Sequence, residues 1–235
     1  MVKLYRGFST AISNALGTAG GWVMEGEYEG ARNAAGQPHG RGAVRFADGA
    51  VYEGEFKAGK QKGRGKMRYA NGSEYEGQWK EGKKEGRGTY RSASGDVYEG
   101  QWKADKREGR GTYRHPDGGV YEGEFKAGEM DGHGTERFAS GNVYEGEYVA
   151  GNREGRGTFR YAGGEADVGR YRGGADVGEG ARWSADRKAA WRLQDGEAGK
   201  PISLLEAAGI AAEIGLVPPA AGLGKRGSRV HPYAA

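Results

Sequence analysis

A tyrosine recurs at intervals of 23 residues through the middle of the chain, and this period constrains the fold more than any other feature. Each copy opens the phrase Tyr-Glu-Gly-Glu/Gln-aromatic, first seen from Tyr52 to Phe56. Eleven residues after each tyrosine a Gly-x-Gly phrase begins, first seen at Gly63-Arg64-Gly65. A fixed period of this length indicates an array of structural repeats, each needing its neighbours to bury its apolar side.

Both phrases alternate with a period of two, which is typical of half-buried strands rather than helices. The side chains of Tyr52 and Phe56 fall on one face of such a strand, and those of Glu53 and Glu55 fall on the other. Pairs such as Asp48-Gly49 separate the repeats and predict tight hairpin turns. The sequence therefore predicts one long antiparallel meander of β-hairpins.

The repeats are unusually rich in glycine. The chain has 48 glycines in 235 residues, about three times the usual share of ~7%. Because glycine weakens a strand, its repeated placement indicates a steric requirement. We expect Gly54, Gly63 and Gly65, with their equivalents, to leave space for aromatic rings from adjoining strands. The opposite face sets a row of glutamates near the arginines of the Gly-Arg-Gly phrases.

The phrase that opens at Tyr52, the turn at Gly59-Lys60, the Gly63-Arg64-Gly65 phrase and the Asn71-Gly72 pair together resemble the MORN (membrane occupation and recognition nexus) repeat family. The resemblance extends over about Trp22 to Arg182. It implies a mainly all-β fold: a single-layer, twisted antiparallel β-hairpin repeat solenoid. Repeats of this family serve as binding modules in ciliary, cytoskeletal and membrane-junction proteins.

Four segments are predicted along the chain. Residues 1–21 form an N-terminal extension with a possible short amphipathic helix, either a docking or capping segment or an organelle-targeting signal. Residues 22–182 form about seven repeats, the last degenerate. Residues 183–217 form a terminal hairpin and a capping helix of about Ser203 to Ile214, which we expect to close the open end of the sheet. Residues 218–235 form a flexible basic tail or a strap bound to a partner.

Composition and motifs argue against several functional classes. The chain has no cysteine, which fits a reducing compartment, and no apolar run long enough to span a membrane. Its net charge of +4 comes from nearly balanced basic and acidic residues, unlike a nucleic-acid-binding protein. The four histidines are scattered, and no serine or threonine has a histidine and an acid at catalytic spacing. We predict no enzyme activity, no metal site, no cofactor and no nucleic-acid partner.

The aromatic side chains of the repeats form the first candidate binding surface, here termed the aromatic ladder. They are either the sheet's own core or a half-covered strip that binds a helix or an extended segment of a partner protein. The ladder consists of Tyr52, Phe56, Tyr75, Trp79, Tyr98, Trp102, Tyr121, Phe125, Tyr144 and Tyr148.

The second candidate is a set of basic residues at the turns within the repeats, here termed the lysine rim. They are either merely solvated or bind an anionic phosphoinositide membrane. The rim consists of Lys57, Lys60, Lys62, Lys80, Lys83, Lys84, Lys103, Lys106 and Arg107.

Two functions compete on these grounds. The first is a non-enzymatic scaffold that binds partner polypeptides in a multi-subunit cytoskeletal assembly, most simply the ciliary axoneme in a complex like the radial spoke. The second is a peripheral adaptor on an anionic membrane surface. The first predicts a cytoplasmic, cytoskeletal protein of the cilium or flagellum.

Overall fold

A computed structural model describes residues 26–220 of the chain. The helix predicted within residues 1–21 and the basic residues of the predicted tail, beyond residue 220, lie outside the described residues. The described part contains sixteen strands and one helix. The strands are β1 Gly26–Arg32, β2 Pro38–Phe46, β3 Val51–Lys57, β4 Lys60–Arg68, β5 Glu74–Lys80, β6 Lys83–Arg91, β7 Val97–Lys103, β8 Lys106–Arg114, β9 Val120–Lys126, β10 Glu129–Arg137, β11 Val143–Val149, β12 Asn152–Arg160, β13 Ala166–Arg172, β14 Ala175–Trp183, β15 Ala190–Gln194 and β16 Glu197–Ile202, and the helix is α1 Leu204–Ile214.

All sixteen strands belong to one open antiparallel sheet, in which every strand lies beside its neighbours in the chain, from β1 to β16. The turns lie where the sequence predicts them. At the turn between β2 and β3, for example, Asp48 Oδ1 accepts a hydrogen bond of 2.9 Å from Ala50 N, and Gly49 has φ 91°. The predicted single-layer hairpin solenoid is confirmed. The sheet runs without a break from β14 into β15 and β16, so the last strand pair extends the same layer.

Each of the five repeats that open with a tyrosine, from Tyr52 to Tyr144, places the ring over two glycines on one face of the sheet, here termed the ring face. A Cβ on Gly65 would lie 2.6 Å from Cε2 of Tyr52, and a Cβ on Gly54 would lie 2.6 Å from the Tyr52 hydroxyl. Gly54 and Gly65 are direct partners across β3 and β4. The expected steric role of glycine holds for these two, although the ring comes from the same repeat.

The expectation was wrong for Gly63. This residue has φ +71°, and a Cβ there would meet the carboxylate of Glu55 rather than a ring. It lies where the register between β3 and β4 shifts, since Gly54 pairs with Gly65 and Phe56 pairs with Gln61. Gly63 therefore forms a β-bulge in the left-handed conformation that glycine adopts at little cost.

The other side of the sheet, here termed the polar face, carries the charged residues of each repeat and, at its C-terminal end, α1. The helix is capped as predicted: Ser203 Oγ accepts from Glu206 N at 3.1 Å, and Gly215 ends it with φ 81°. It contacts β13, β14 and β15 and buries Ala207 and Ala211 against a small apolar cluster that includes Val168. The helix thus covers a face of the last strands and does not close the edge at β16, whose residues are mostly exposed.

Candidate functional site

The ten side chains of the aromatic ladder lie in the protein's own core. They are between 0 and 7% exposed, although the sheet is a single layer. Each repeat tyrosine makes edge-to-face contacts with two aromatic rings. One belongs to the residue four positions on in the same repeat, and the other belongs to the residue at that same position in the next repeat. Tyr52, for instance, lies 5.1 Å from Phe56 and 5.2 Å from Trp79, measured between ring centroids. Such contacts recur from Tyr28 to Tyr171 without a gap.

Polar atoms of the ladder are satisfied internally. The Tyr98 hydroxyl donates to the Gln101 carbonyl oxygen at 2.9 Å, and Trp102 Nε1 donates to the Gly88 carbonyl oxygen at 3.0 Å. Burial raises the pKa of Tyr98 and of Tyr121 to about 12, because the phenolate would lose its hydration. The ladder is therefore not a half-covered contact strip; its rings cover one another, and they offer almost no area to a partner.

Two members of the predicted lysine rim are placed on the ring face instead. Lys84 Nζ lies 4.8 Å from the Trp102 ring centroid and 5.2 Å from that of Tyr90, and desolvation lowers its pKa. Arg107 Cζ lies 5.1 Å from the Tyr113 ring centroid. Both side chains close the ladder by cation–π contact. Their assignment to a membrane-facing rim was wrong, because each stands directly opposite a tryptophan in the register.

The remaining rim residues are at the hairpin tips on the polar face. Lys60 pairs with Glu81 at 2.7 Å and is half exposed. The other six are exposed: Lys57, Lys62, Lys80, Lys83, Lys103 and Lys106.

An open groove runs along the polar face across the repeats. Its larger part, of 1110 Å³, lies over β2 to β8, and a second part of 740 Å³ continues from β8 to α1. Arg110 and Thr112 line both parts, so the two form one continuous groove.

One row of the groove alternates arginine with glutamate or glutamine. The acceptor of each pair satisfies the bulge: Glu55 Oε1 accepts from Arg64 N at 3.0 Å, and Gln78 Oε1 accepts from Arg87 N at 3.0 Å. Farther along, Arg156 Nε also pairs with Glu147 Oε1 at 3.1 Å. The bulge thus aims both members of each pair into the groove.

The chain's own C-terminal segment forms one end of the groove. Gly215, Leu216 and Val217, which follow α1, line it together with Arg156 and Arg160. A Cβ on Gly215 would lie 2.6 Å from Arg156 Nη1, so the arginine sits against the carboxyl end of the helix, where a cation is favoured. A polypeptide therefore already lies in this groove at one end.

Sequence reasoning placed the residues of this groove on the face opposite the aromatic rings and missed the groove itself. The alternation placed Glu53 and Arg64 together on that face, but an open face and a groove give the same period-two pattern. A usable signal was the apolar stripe of α1, which needs an apolar patch. The polar face supplies one at Val168 and Ala181.

Between residues 26 and 220, no group of three or more His, Cys, Asp or Glu side chains is placed to hold a metal ion. No helix in that range is both long and apolar enough to cross a bilayer.

Several solved structures are similar to the chain at low identity. The SAS-4 (dCPAP) TCP domain of Drosophila melanogaster, in complex with a proline-rich motif of Ana2 (dSTIL), is 15% identical with a TM-score of 0.45, over 71% of this chain and 89% of that chain. The TCP10 domain of Danio rerio CPAP, in complex with a peptide of Danio rerio STIL, is 12% identical with a TM-score of 0.30, over 75% of this chain and 98% of that chain. No curated protein matches the chain.

The family model described as MORN repeat matches six consecutive segments: residues 34–51, 52–74, 75–97, 98–120, 121–143 and 144–165. Together they run from residue 34 to residue 165, which is 132 of the 235 residues. The segments from residue 52 to residue 143 have the 23-residue period of the tyrosines, and each coincides with one hairpin and its connecting turn. The chain belongs to the MORN repeat family.

Proposed function

We propose that this protein is a non-enzymatic scaffold that binds a partner polypeptide along the groove of the polar face. The observation that carries the proposal is α1 with residues 215–217. This segment occupies one end of the groove and leaves the rest, from β2 to β12, open along the same line. The protein's own helix supports the proposal, because it packs on the same face of the sheet.

The dimensions suit one polypeptide segment. Eleven strands at ~4.8 Å spacing give an open groove of about 48 Å. That length accommodates a helix of about 32 residues or an extended segment of about 14 residues. Thr89 and Thr112 are small side chains in the row beside the arginines, so a backbone can approach closely there. The surface that the groove offers to a partner is therefore polar, whereas the patch under α1 is apolar.

This assignment changes the surface that the aromatic ladder suggested but keeps the class of partner. The ten side chains of the ladder are covered by their own contacts, whereas the polar face is open. Because a long scaffold with no internal catalytic segment suits a large assembly, we place the protein in a cytoplasmic cytoskeletal complex, with the ciliary axoneme as the specific candidate. Family membership supports the scaffold role, and the axonemal assignment is tested by co-fractionation with extracted axonemes.

Site-specific photo-crosslinking tests the groove. A photoreactive amino acid at Thr112 should crosslink a native partner, and the same group at Ser94, in an exposed turn, should not. Thr112→Trp, which fills the groove, should abolish binding of the identified partner segment, and Ser94→Trp should leave it unchanged. Equal crosslinking from both positions, or full binding by a folded Thr112→Trp variant, would contradict the proposal.

A further inference from the structure

We infer that the groove recognises an acidic segment of its partner at one defined place, the basic strip of repeats two to four, which open at Tyr52, Tyr75 and Tyr98. This inference rests on the proposed function and names the partner's chemistry. The strip consists of six tip lysines, Lys57, Lys60, Lys80, Lys83, Lys103 and Lys106, with three arginines behind them, Arg64, Arg87 and Arg110.

The tips of three consecutive hairpins place two lysines directly opposite each other. The pairs are Lys57 with Lys60, Lys80 with Lys83, and Lys103 with Lys106. Like charges at directly opposed positions destabilise a hairpin. The later hairpins reach the same turn geometry without such a pair, since Lys126 opposes Glu129 and Val149 opposes Asn152. The paired lysines are therefore not required by the turn.

The row behind the tips loses its carboxylates in the same part of the array. Glu55, Glu124 and Glu147 stand opposite the arginine position of the bulge, but in repeats three and four the equivalent residues are Gln78 and Gln101. The amide oxygen of each still accepts from the bulge N–H, so the backbone is satisfied. Arg156 pairs with Glu147, whereas no ion pair within residues 26–220 involves Arg87 or Arg110.

The charge of this segment differs from that of the equivalent positions farther along. Seven positions lie around each tip: 55, 57 to 60, 62 and 64, with their equivalents in the other repeats. In repeats two to four these positions carry ten basic and five acidic residues, a net charge of +5. In repeats five to seven, the same positions carry four basic and six acidic residues, a net charge of −2 with His133 neutral. The tips of repeats two to four, with the arginines behind them, therefore attract anions, and the equivalent positions farther along do not.

The depth of the arginines favours a polypeptide over a membrane. Each arginine lies four residues along the strand from the tip, roughly 10 Å inward, where a flat bilayer resting on the tips does not reach. A nucleic acid would extend over the next row, which contains Glu76 and Glu99. An extended chain is narrow enough to follow one row. The strip spans six strands, about 24 Å, which corresponds to seven or eight extended residues.

Binding of a fluorescein-labelled twelve-residue oligoglutamate peptide, measured by fluorescence anisotropy, tests the inference. We expect saturable binding that weakens with salt, and none of an oligolysine peptide of the same length. Gln78→Glu with Gln101→Glu supplies the residue found at position 147, and each new carboxylate should offer its arginine the ion pair that Glu147 makes with Arg156. If each lost ion pair weakens binding by roughly 1.4- to 5-fold, the double variant should bind between about 2- and 30-fold more weakly.

Matched tip variants locate the site. Lys83→Asn with Lys106→Asn copies the residue at position 152 and should weaken binding by a similar factor, whereas Lys126→Gln, at a tip outside the strip, should not. Absence of oligoglutamate binding, equal loss in Lys126→Gln, or binding only to vesicles containing phosphatidylinositol bisphosphate or to a dT12 oligonucleotide would overturn the inference. Partner crosslinking at Thr112 that survives the strip variants would retain the scaffold and reject the acidic segment.

Discussion

The glycines beneath the rings make a quantitative prediction, because the chain contains both a covered and an uncovered copy of the same position. Gly123 lies under Tyr121, and a Cβ there would come within 2.6 Å of Gly134 Cα. Gly169 is its equivalent two repeats later, where Asp167 replaces the tyrosine, and a Cβ there meets no atom within 4 Å. Neither glycine has a positive φ, so the two differ in space rather than in backbone strain.

The magnitude follows from the displaced ring. An ordinary contact needs about 0.8 Å more room than Gly123 provides, so the backbone of β10 or the buried Tyr121 must move. Overpacking of this kind costs about 1–3 kcal/mol, and weakening the contacts of Tyr121 with Phe125 and Tyr148 adds about 0.5–1.5 kcal/mol. Gly169→Ala instead gains about 0.5–1 kcal/mol from reduced chain entropy. We expect the two variants to differ by about 3 kcal/mol.

Thermal unfolding followed by circular dichroism and by tryptophan fluorescence measures this difference. At about 2–4 °C per kcal/mol for a chain of this size, the Tm of Gly123→Ala should lie about 6–12 °C below that of Gly169→Ala. Two probes are needed, because a repeat array can unfold in parts. Equal Tm values for both variants, or a more stable Gly123→Ala, would refute the account of the glycines.

Three further predictions concern titration, a buried ion pair and the helix cap. Burial raises the pKa of seven enclosed tyrosines, so the folded state holds their protons above pH 10. The free energy of unfolding therefore falls as pH rises past 10, by on the order of 8 kcal/mol per pH unit near pH 11. Phenolate absorbance should rise together with the loss of circular dichroism, and gradual ionisation of the folded protein would contradict this. Asp167→Asn should cost about 3 kcal/mol in urea unfolding, since Asp167 is 3% exposed and pairs with Arg182 at 2.6 Å, and an unchanged midpoint would show that the pair is not structural. Ser203→Ala should cost about 1 kcal/mol through loss of the bond to Glu206 N, while Ser203→Asp should retain most of it, and equal effects of the two would argue against capping.

Much of the fold could be predicted from the sequence because its determinants are local. The period of Tyr52 and its copies, the Asx-Gly turns and the Ser203 cap each depend on residues within one hairpin or one helical turn. Register is less local. Counting back from the turn at Ala58-Gly59 pairs Gly54 with Gly63, whereas the bulge moves the partner to Gly65. Alternation alone does not contain that shift.

Which face of the sheet is open to a partner could not be predicted from the sequence, because it depends on the tilt of the aromatic rings relative to one another. The spacing of Tyr52, Phe56 and Trp79 is the same for rings that lie flat and leave gaps as for rings that meet edge to face. The structure has the second arrangement, with interplanar angles of 84° and 85°, and this buries the rings of the ladder. Lys84 and Arg107 lie between the hairpin tip and the bulge, where counting from the turn already pairs them with Trp79 and Trp102, so their place on the ring face was predictable from the sequence.

The unbroken chain of edge-to-face contacts makes the internal repeats interchangeable. The tyrosine of each repeat contacts an aromatic ring of the next repeat, in the same way as the tyrosine of the preceding repeat contacts its own ring. Excision of residues 75–97 would therefore set Trp102 against Tyr52 as Trp79 is set now, and would shorten the groove by two strands, about 9.6 Å. The number of repeats therefore sets the length of polypeptide that the sheet can hold.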